Sequence, residues 1–416
     1  MLKEWFGASR LLGNTTVSRI LIISALFPPE PVVSAMLSRD IAEKLSRHHE
    51  VVVLCPDPSR PEGFAFEKRF ENETYAVVRV GSYTCASSNL WGRFHESYSF
   101  GAHCAKYVQK NSKQIDCIYI NSWPLFSQFK IIKTAKKFDI PCVLHVQDIY
   151  PESLVDKLPR LARRLVTTLL EPIDAFNLKN ARHILGISPT MISFLSKSRG
   201  IDMGKFALIR NWQDDDQFMS FNPEINQEDK SGFTFMYVGS LSQSAGVAGL
   251  INGFHKAGLS NAKLIIAGNG SDKKKCVEMA NSFGNSQIEF YEVAPGDVPK
   301  MQSKSHILLL PLKKGIAKTA TPSKLTAYLL SAKPVIACVE DDTDVADIIN
   351  DANCGFVVEP ENVEILAETM QKVYKMKELA LDNLGYFNDL LCNNPRLLWY
   401  WDRENGGKRL RNTHPT

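Results

Sequence analysis

A lysine lies near the start of a predicted helix in the segment KTATPSKLTAY, residues 318–328. Thr321 is a favoured helix-capping residue and Pro322 suits the first helical position, which places Lys324 in the first turn. Backbone N–H groups and the positive dipole at a helix start bind anions, whereas a cation there costs about 0.3–1 kcal/mol. The lysine therefore indicates an anionic ligand that offsets its charge, with a solvated lysine as the alternative. We predict that the segment binds a phosphate group through Lys318, Thr321, Pro322, Ser323, Lys324 and Leu325.

Two turns rich in small residues each follow a predicted strand and precede a predicted helix. They are VGSLSQSAGV (238–247) and IIAGNGSD (265–272). Small residues allow a ligand to approach the backbone closely, although an ordinary turn also selects them. We predict that these turns contact the same ligand through Gly239, Ser240, Gly268, Asn269 and Gly270.

A cluster of polar and ionisable residues follows another strand in LHVQDIYPESL, residues 144–154. Such a cluster at a strand end suits substrate contact or acid–base chemistry. A histidine within a strand is also often a buried core residue, and both interpretations of His145 stay open. We predict catalytic roles for His145, Gln147, Asp148 and Glu152.

A proline-rich loop, LFPPEPVVSAMLSRD (26–40), follows the first predicted strand. Ser34 could cap the helix that comes next. Glu30 is a polar group that could contact an acceptor, while a rigid turn is the alternative. We therefore assign Glu30 and Ser34 to the acceptor side of the site.

Two basic amphipathic segments, 130–137 and 157–170, place leucines or isoleucines on one face and Lys or Arg on the other. Such helices can lie on anionic membranes. A helix that packs on the core and exposes its charged back is an equal alternative.

Apolar β-branched runs alternate with helical patterns along most of the chain, which indicates doubly wound parallel α/β sheets. A polar, acidic stretch at 211–232 interrupts the alternation. We predict a leader (1–18), a first Rossmann-like domain (19–210), a linker (211–232), a second Rossmann-like domain (233–385) and a helical segment that packs back on the first domain (386–416). Ligands of such sheets bind at the carboxyl ends of the strands, so we expect the site in the cleft between the domains.

The composition excludes several classes of protein. Of the 416 residues, 44% are hydrophobic and 23% are charged, which is typical of globular proteins. The net charge of +4 is too small for a nucleic-acid-binding domain but is compatible with an anionic membrane surface. The nine cysteines form no C-x-x-C pair, which favours a reducing compartment and argues against a metal site. No apolar run is long enough to span a membrane.

The motifs FPPEPVVSA, VQDIYPES, ISPTM, RNW, AGNG, TPSKLTAYLLSAKPVIA and CGFVV resemble, in order and spacing, those of the family 4 glycosyltransferases. The similarity covers residues 19–376 and is strongest to WbuB-like bacterial enzymes of capsule and O-antigen assembly. It implies a GT-B fold, with the nucleotide sugar on the second domain and the acceptor on the first. It also implies a retaining sugar transfer without a metal or other cofactor.

The chain departs from that family pattern at several positions. Thr319 and Ala327 stand where many members carry a Glu-x7-Glu pair, the second of which contacts the donor ribose. Ser240 and Ala245 stand where many members carry Arg and Lys, and Gln147 replaces a frequent histidine. The helix start with Lys324 would then carry most of the positive charge around the diphosphate.

The resemblance therefore implies a cytoplasmic enzyme, peripherally bound to the inner face of the cell membrane. It would transfer a hexosyl or N-acetylhexosaminyl group from a nucleotide sugar, expected to be UDP-linked, to a polyprenyl-diphosphate-linked saccharide. A non-hydrolysing UDP-sugar 2-epimerase shares the fold and is one alternative. An inactive nucleotide-sugar-binding protein is another, because the Glu pair and the loop cations are missing.

Overall fold

The protein is described here from a computed structural model. The structure describes residues 17–30, 32–60, 66, 73–84, 90–121, 124–155, 158–212, 218, 232–284, 287–294, 296–319, 322–331 and 333–379. Contacts within the chain divide it into two units, Met1–Asn211 and Trp212–Thr416. Each unit contains one parallel sheet with helices packed on it.

The first unit has a seven-stranded parallel sheet in the order β3-β2-β1-β4-β5-β6-β7. Its inner strands are short runs of apolar residues because both sheet faces are covered. The strands are β1 (Arg19–Ile23), β2 (Glu50–Pro56), β3 (Ala76–Val80), β4 (Cys117–Asn121), β5 (Cys142–Val146), β6 (His183–Gly186) and β7 (Phe206–Leu208). The helices are α1 (Val33–Ser46), α2 (Leu90–Lys110), α3 (Leu125–Lys137), α4 (Glu152–Val155), α5 (Arg160–Asn180) and α6 (Pro189–Arg199).

Alternate residues of each strand in the first unit face opposite layers. Leu21 and Ile23 of β1 belong to a core cluster that includes buried residues of α2, α3, α5 and α6. Ile20 and Ile22 belong to a second cluster that includes Ala42 and other residues of α1. Helices α2, α3 and α5 thus lie on the same face of the sheet, where α3 contacts both of the others.

The second unit has a six-stranded parallel sheet in the order β10-β9-β8-β11-β12-β13. Its strands are β8 (Phe233–Val238), β9 (Ala262–Ala267), β10 (Ile288–Tyr291), β11 (Ile307–Pro311), β12 (Val335–Cys338) and β13 (Gly355–Val358). Its helices are α7 (Val247–Ala257), α8 (Lys273–Ser282), α9 (Val298–Ser303), α10 (Ile316–Thr319), α11 (Ser323–Leu330), α12 (Asp344–Ala352) and α13 (Val363–Leu379). Two buried clusters cover the two faces of this sheet.

The predicted fold class, with two doubly wound parallel sheets, is confirmed. Almost all of the predicted leader, almost all of the linker and the whole segment 386–416 lie outside the described residues. Helix α11 begins at Ser323, with Pro322 at the N-cap, so the prediction of Pro322 as the first helical residue is wrong by one position. Among the described helices, none has the length and apolar character that crossing a bilayer requires.

Candidate active site

The strand order of the second sheet reverses direction between β8 and β11. From β8 the chain proceeds outward to β9 and β10, and from β11 it proceeds outward the other way to β12 and β13. Ligands of parallel α/β sheets bind at such a switch point, beyond the carboxyl ends of the strands. The loops after the two central strands meet there, since the N–H of Lys313 donates to the carbonyl oxygen of Ser244 at 3.2 Å.

The two turns rich in small residues lie side by side at this switch point. The N–H of Gly239 donates to the carbonyl of Ala267, and that of Leu241 donates to the carbonyl of Asn269, both at 2.9 Å. Leu241 in turn accepts from the N–H of Asp272 at 2.9 Å. The sequence predicts that both turns contact the same ligand. These backbone hydrogen bonds hold the two turns together at one edge of the sheet.

Glycine is required at Gly268 by the neighbouring turn itself. A Cβ atom there would lie 2.0 Å from the carbonyl oxygen of Gly239, and its φ of 145° disfavours other residues. The small residues therefore serve the packing of one turn on the other. Contact of these turns with a ligand stays a prediction.

The side chain of Lys324 lies directly over Gly239. A Cβ atom on Gly239 would lie 2.0 Å from Cε and 3.2 Å from Nζ of the lysine. The lysine Nζ is also 5.7 Å from the centre of the Tyr237 ring. The turn after β8 and the first turn of α11 are thus in direct contact. Each belongs to a separate motif that is predicted to bind the donor.

Burial lowers the pKa of Lys324 from its ordinary value of 10.5. Among the described residues, no carboxylate lies within salt-bridge distance of its Nζ. A buried ammonium group without a counter-ion is destabilising in the folded state, and an anion beside it removes that cost. The helix start supplies further positive potential at the same place.

Two other members of the predicted phosphate site have different surroundings. Lys318 is exposed and forms a 2.6 Å ion pair with Asp342, whose carboxylate raises the pKa of the lysine. The Leu325 side chain is buried in the core, and its N–H donates to the carbonyl of Pro322. The side chain of Leu325 is therefore excluded from donor contact, because it is buried in the core. The donor role of Lys318 stays a prediction, because an exposed ion pair is weak. Thr321 lies outside the described residues.

A pocket of about 190 Å³ opens between the turn after β8 and the start of α8. Its charged lining residues are Asp272, Lys275 and Lys313. Lys313 follows β11, at the switch point. It brings a cation to the loop in which Ser240 and Ala245 replace the expected cations.

Glu340 is a carboxylate that the sequence analysis missed. It follows β12, is 6% exposed, and accepts from the N–H of Gly315 at 2.5 Å through Oε1. Its other oxygen is buried and has no hydrogen-bond partner among the described residues. A buried half-satisfied carboxylate at the carboxyl edge of the sheet is notable because the chain lacks the expected carboxylate at Ala327. No periodicity or motif distinguishes it from the acidic residues that follow.

His145 lies in the core of the first unit. It is fully buried, and its Nδ1 lies 2.6 Å from the hydroxyl oxygen of Tyr119. Burial lowers the pKa of His145 to about 4, so the imidazole is neutral near pH 7. The catalytic interpretation of His145 is corrected, because no substrate can contact a side chain without exposed surface.

Glu152 belongs to a buried ion-pair network. Its carboxylate oxygens accept from Arg199 at 2.7 and 2.8 Å, and Asp174 accepts from the same guanidinium at 2.9 Å. The Arg199 side chain is 2% exposed and also donates to the carbonyl of Tyr150. Glu152 thus neutralises a buried arginine, and its predicted acid–base role is corrected for that reason.

Glu30 is 1% exposed, and its two oxygens hold backbone groups. Oε2 accepts from the N–H of Phe27, and Oε1 accepts from those of Ser59 and Arg60 at 2.9 and 3.0 Å. The predicted acceptor contact is corrected, because Glu30 ties the loop after β1 to the loop after β2. Ser34 lies inside the first turn of α1 and provides no cap, since the N-cap residue is Val32.

Gln147 and Asp148 follow β5 at the carboxyl edge of the first sheet. Asp148 is exposed and Gln147 is half-buried. The catalytic roles of Gln147 and Asp148 stay predictions. In the part of the chain that the structure describes, no group of three His, Cys, Asp or Glu side chains is arranged to hold a metal ion.

Comparison with known proteins identifies the family. A family model described as "Glycosyl transferase 4-like domain" matches residues 35–212, and one described as "Glycosyl transferases group 1" matches residues 219–384. The Pseudomonas aeruginosa protein named "Probable glycosyltransferase WbjE" is 22% identical over 271 residues. That match covers 63% of this chain and 65% of the relative, so the chain spans just under two thirds of its length.

Solved structures show the same fold. Sucrose-phosphate synthase from Thermosynechococcus elongatus has a TM-score of 0.69 at 12% identity, covering 93% of this chain and 96% of that one. WaaG, a glycosyltransferase involved in lipopolysaccharide biosynthesis, has a TM-score of 0.63 at 18% identity, covering 93% and 100%. HepE from Anabaena, solved in complex with UDP, has a TM-score of 0.58 at 15% identity, covering 91% and 93%.

The two parallel-sheet units and the two family matches define a protein of the GT-B fold. The chain belongs to the family 4 glycosyltransferases.

Proposed function

We propose that the protein transfers a sugar from a nucleotide-diphosphate donor, with the second unit binding the donor. The observation that carries this proposal is the half-buried Lys324, which lies against Gly239 at a helix start and has no ion-pair partner among the described residues. A diphosphate supplies the negative charge that this place lacks. The HepE structures in complex with UDP and with UDP-glucose support a UDP-linked donor.

The chemistry of the leaving group explains why this position matters. Negative charge develops on the diphosphate as the glycosidic bond breaks, and fixed positive groups aimed at that charge lower the barrier. Lys324 and the first backbone N–H groups of α11 are such groups, and Lys313 brings another cation to the same edge. We propose that they act in place of a divalent metal, in a retaining transfer.

The acceptor is proposed to bind at the carboxyl edge of the first sheet. Asp148 offers an exposed carboxylate there for a sugar hydroxyl, and Gln147 is half-buried beside it. The family resemblance supports a polyprenyl-diphosphate-linked saccharide as the acceptor, with a hexosyl or N-acetylhexosaminyl group transferred in capsule or O-antigen assembly. A cytoplasmic position at the inner face of the membrane belongs to the same proposal.

Replacing Lys324 tests the donor assignment. We expect Lys324→Met to reduce sugar transfer by roughly a hundredfold, as does loss of one charge-stabilising donor in other enzymes. The measurement is release of UDP from a panel of UDP-sugars, with membrane lipid extract as the source of acceptor. Lys314→Met, which removes an exposed lysine paired with Glu359, is the matched control and should keep normal rates.

The same assay separates the alternative functions. Isomerisation of the donor sugar without an acceptor would indicate an epimerase, and donor binding without turnover would indicate an inactive binding protein. Unchanged transfer in Lys324→Met would remove the phosphate assignment altogether. The burial of His145 gives the epimerase no support, because it takes away a histidine that acid–base chemistry could use.

A further inference from the structure

The outer surface of the first unit carries exposed aromatic residues on α2. Trp91, Phe94 and Tyr98 are 84%, 39% and 47% exposed and follow one another at helical spacing on one side. The opposite side of the helix, which includes Phe100 and Cys104, is buried in the core. These aromatics are thus not core residues that happen to reach the surface, since the helix has a separate buried face.

A second apolar stripe lies on the first half of α5. Leu165 and Leu169 are 64% and 61% exposed, and no described side chain from Ala162 to Ile173 is buried. The buried side chains described in this helix lie in its second half, for example Asn177 and Leu178. Among the described residues, the first half of α5 therefore presents Leu165 and Leu169 to solvent.

Helix α3 contacts both of the helices that carry these stripes. Phe94 of α2 packs edge-on against Phe126 of α3, with ring centres 4.7 Å apart. Phe129 of α3 lies 4.9 Å from Phe176 of α5. The Nζ of Lys130 lies 3.4 Å over the Tyr98 ring. The three helices thus form one continuous layer, and we call Trp91, Phe94, Tyr98, Leu165 and Leu169 its exposed apolar face.

The charge of this layer is strongly positive. Helices α2, α3 and α5 contain eleven Lys or Arg and three Asp or Glu, a net charge of +8, against +4 for the whole chain. The three acids are engaged by arginines: Glu96 by Arg60 and Arg93, and both Glu171 and Asp174 by Arg199. The outward charge is consequently set by cations that include Lys133, Lys136, Lys137 and Arg164, all of them exposed.

The exposed apolar face lies toward a defined edge of the sheet. Each of the three helices follows a strand of a parallel sheet and therefore begins at its carboxyl edge. Trp91 and Leu165 lie near the starts of their helices, which places them toward the edge that carries Gln147 and Asp148. An aromatic and leucine surface surrounded by cations matches a bilayer interface, where aromatic rings lie at headgroup depth and anionic lipids attract Lys and Arg.

We propose that this face binds the surface of an anionic lipid bilayer, with Trp91, Phe94, Leu165 and Leu169 inserted at the interface and the surrounding lysines and arginines paired with lipid headgroups. The proposal rests on the proposed function only for the lipid-linked acceptor, because lipid binding requires neither donor nor turnover. It places the carboxyl edge of the first sheet near the membrane, where a lipid-linked saccharide would present its sugar.

Flotation of the purified full-length protein with vesicles tests the proposal without any substrate. We expect binding to phosphatidylcholine vesicles that contain phosphatidylglycerol, little binding to phosphatidylcholine alone, and release at high salt. Trp91→Ser with Phe94→Ser should weaken binding at least about tenfold. Lys133→Ala with Lys137→Ala and Arg164→Ala should weaken it by about fivefold per cation.

Matched controls lie on the second unit. Lys274→Ala with Lys300→Ala and Lys304→Ala removes three exposed cations, and Ile365→Ser removes an exposed apolar side chain. Both should bind vesicles as the unaltered protein does. Retention of the thermal shift with UDP shows that each variant is folded. It also keeps a failure of the donor site distinct from a failure of the lipid surface.

Two results would overturn the proposal. One is equal vesicle binding by the unaltered protein and by the α2 and α5 variants. The other is loss of self-association in those variants, by light scattering, with no vesicle binding by the unaltered protein. The second result would assign the exposed apolar face to contact between copies of the chain.

Discussion

Three lysines near the second sheet edge show how the same residue type serves different purposes. Lys314 and Lys318 are exposed and form ion pairs with Glu359 and Asp342. Lys324 is largely buried, and burial lowers its pKa. Exposed pairs of this kind contribute little to stability. A charge that is shielded from water and has no counter-ion destabilises the fold until an anion binds beside it. Residue type alone does not show which of the three lysines is the best candidate for binding a phosphate, whereas the burial of each lysine does.

The lowered pKa of Lys324 predicts how donor binding depends on pH. Only the protonated amine attracts a diphosphate. As the pH is raised, UDP affinity should therefore begin to fall before the pH reaches the range in which an ordinary lysine loses its proton. Isothermal titration of UDP across alkaline pH measures this. In Lys324→Met the affinity should be weak and nearly flat over the same range. A fall of equal steepness in that variant would assign the titration to another group.

The lowered pKa of His145 predicts that the stability of the folded protein also depends on pH. Burial lowers its pKa from 6.5 to about 4, so the unfolded chain binds more protons than the folded one between these values. The free energy of unfolding should therefore decrease as pH falls from 6.5 to 4, by on the order of 3 kcal/mol from this group. Urea unfolding across that range provides the measurement.

The variant Tyr119→Phe with His145→Leu should remove most of this pH dependence, because it deletes the imidazole together with the hydroxyl that contacts it. Tyr119→Phe alone should keep the dependence. If both variants showed the same slope as the unaltered protein, the titrating group would lie elsewhere.

Residue roles in the first unit were only partly predictable from sequence. Position after a strand correctly placed Gln147 and Asp148 at the surface of the sheet edge. The same reasoning gave catalytic or acceptor roles to His145, Glu152 and Glu30. Their partners Tyr119, Arg199 and the N–H groups of Ser59 and Arg60 lie 26 to 47 residues away. Such long-range pairs leave no local pattern.

At the scale of elements, the donor site depends on a turn that lies under a helix start. We expect Gly239→Ala to displace Lys324, since the added Cβ would lie 2.0 Å from its Cε and the φ of 155° is unfavourable for alanine. Sugar transfer should fall at least about tenfold, because a displaced Lys324 no longer stabilises the charge that develops on the leaving group. The measurements are UDP affinity and transfer rate.

Gly249→Ala is the matched control for that prediction. A Cβ at Gly249 meets nothing within 4 Å, and the residue lies within α7. Alanine there should raise stability by about 1 kcal/mol through helix propensity and leave transfer unchanged. Loss of activity in both variants would indicate a general intolerance of this region and not a specific contact with Lys324.

The ion-pair network of Arg199 connects α4, α5 and α6. Glu152, Asp174 and Arg199 come from three different helices, and the arginine is almost fully buried. Arg199→Met should destabilise the protein by about 3–5 kcal/mol, because it leaves Glu152, Glu171 and Asp174 without their cation. Chemical denaturation measures the change. Lys197→Met, in the same helix, is the control and should cost little.

Strands were more predictable than helices, for a physical reason. Strands such as β5 and β8 are apolar runs buried on both faces, so the apolar runs of the sequence indicate them directly. The second basic segment was predicted to end at 170, whereas α5 continues to Asn180 through Pro172. Proline usually ends a helix because it lacks an N–H group. Tertiary contacts of the second half, including Asp174 with Arg199, outweigh that preference here.

Charge is unevenly distributed over the whole molecule. Residues 1–220 carry a net charge of +6 and the remainder carries −2. The excess in the first part resides in the layer of α2, α3 and α5, while the proposed donor site of the second unit relies on a few cations at one sheet edge. The two proposed anion-binding regions thus differ in kind, since one is broad and exposed and the other is narrow and half-buried.

Hydrogen exchange on the full-length protein should separate these two regions. UDP should slow exchange in the turns around Gly239 and Gly268 and in the first turn of α11, because a bound diphosphate orders the backbone that surrounds it. Vesicles with phosphatidylglycerol should instead slow exchange at the starts of α2 and α5, and leave the second unit unchanged. Lys324→Met should lose only the first effect, and Trp91→Ser with Phe94→Ser only the second. Protection of the α2 and α5 starts by UDP alone, in the absence of lipid, would contradict the assignment of the two anions to separate units.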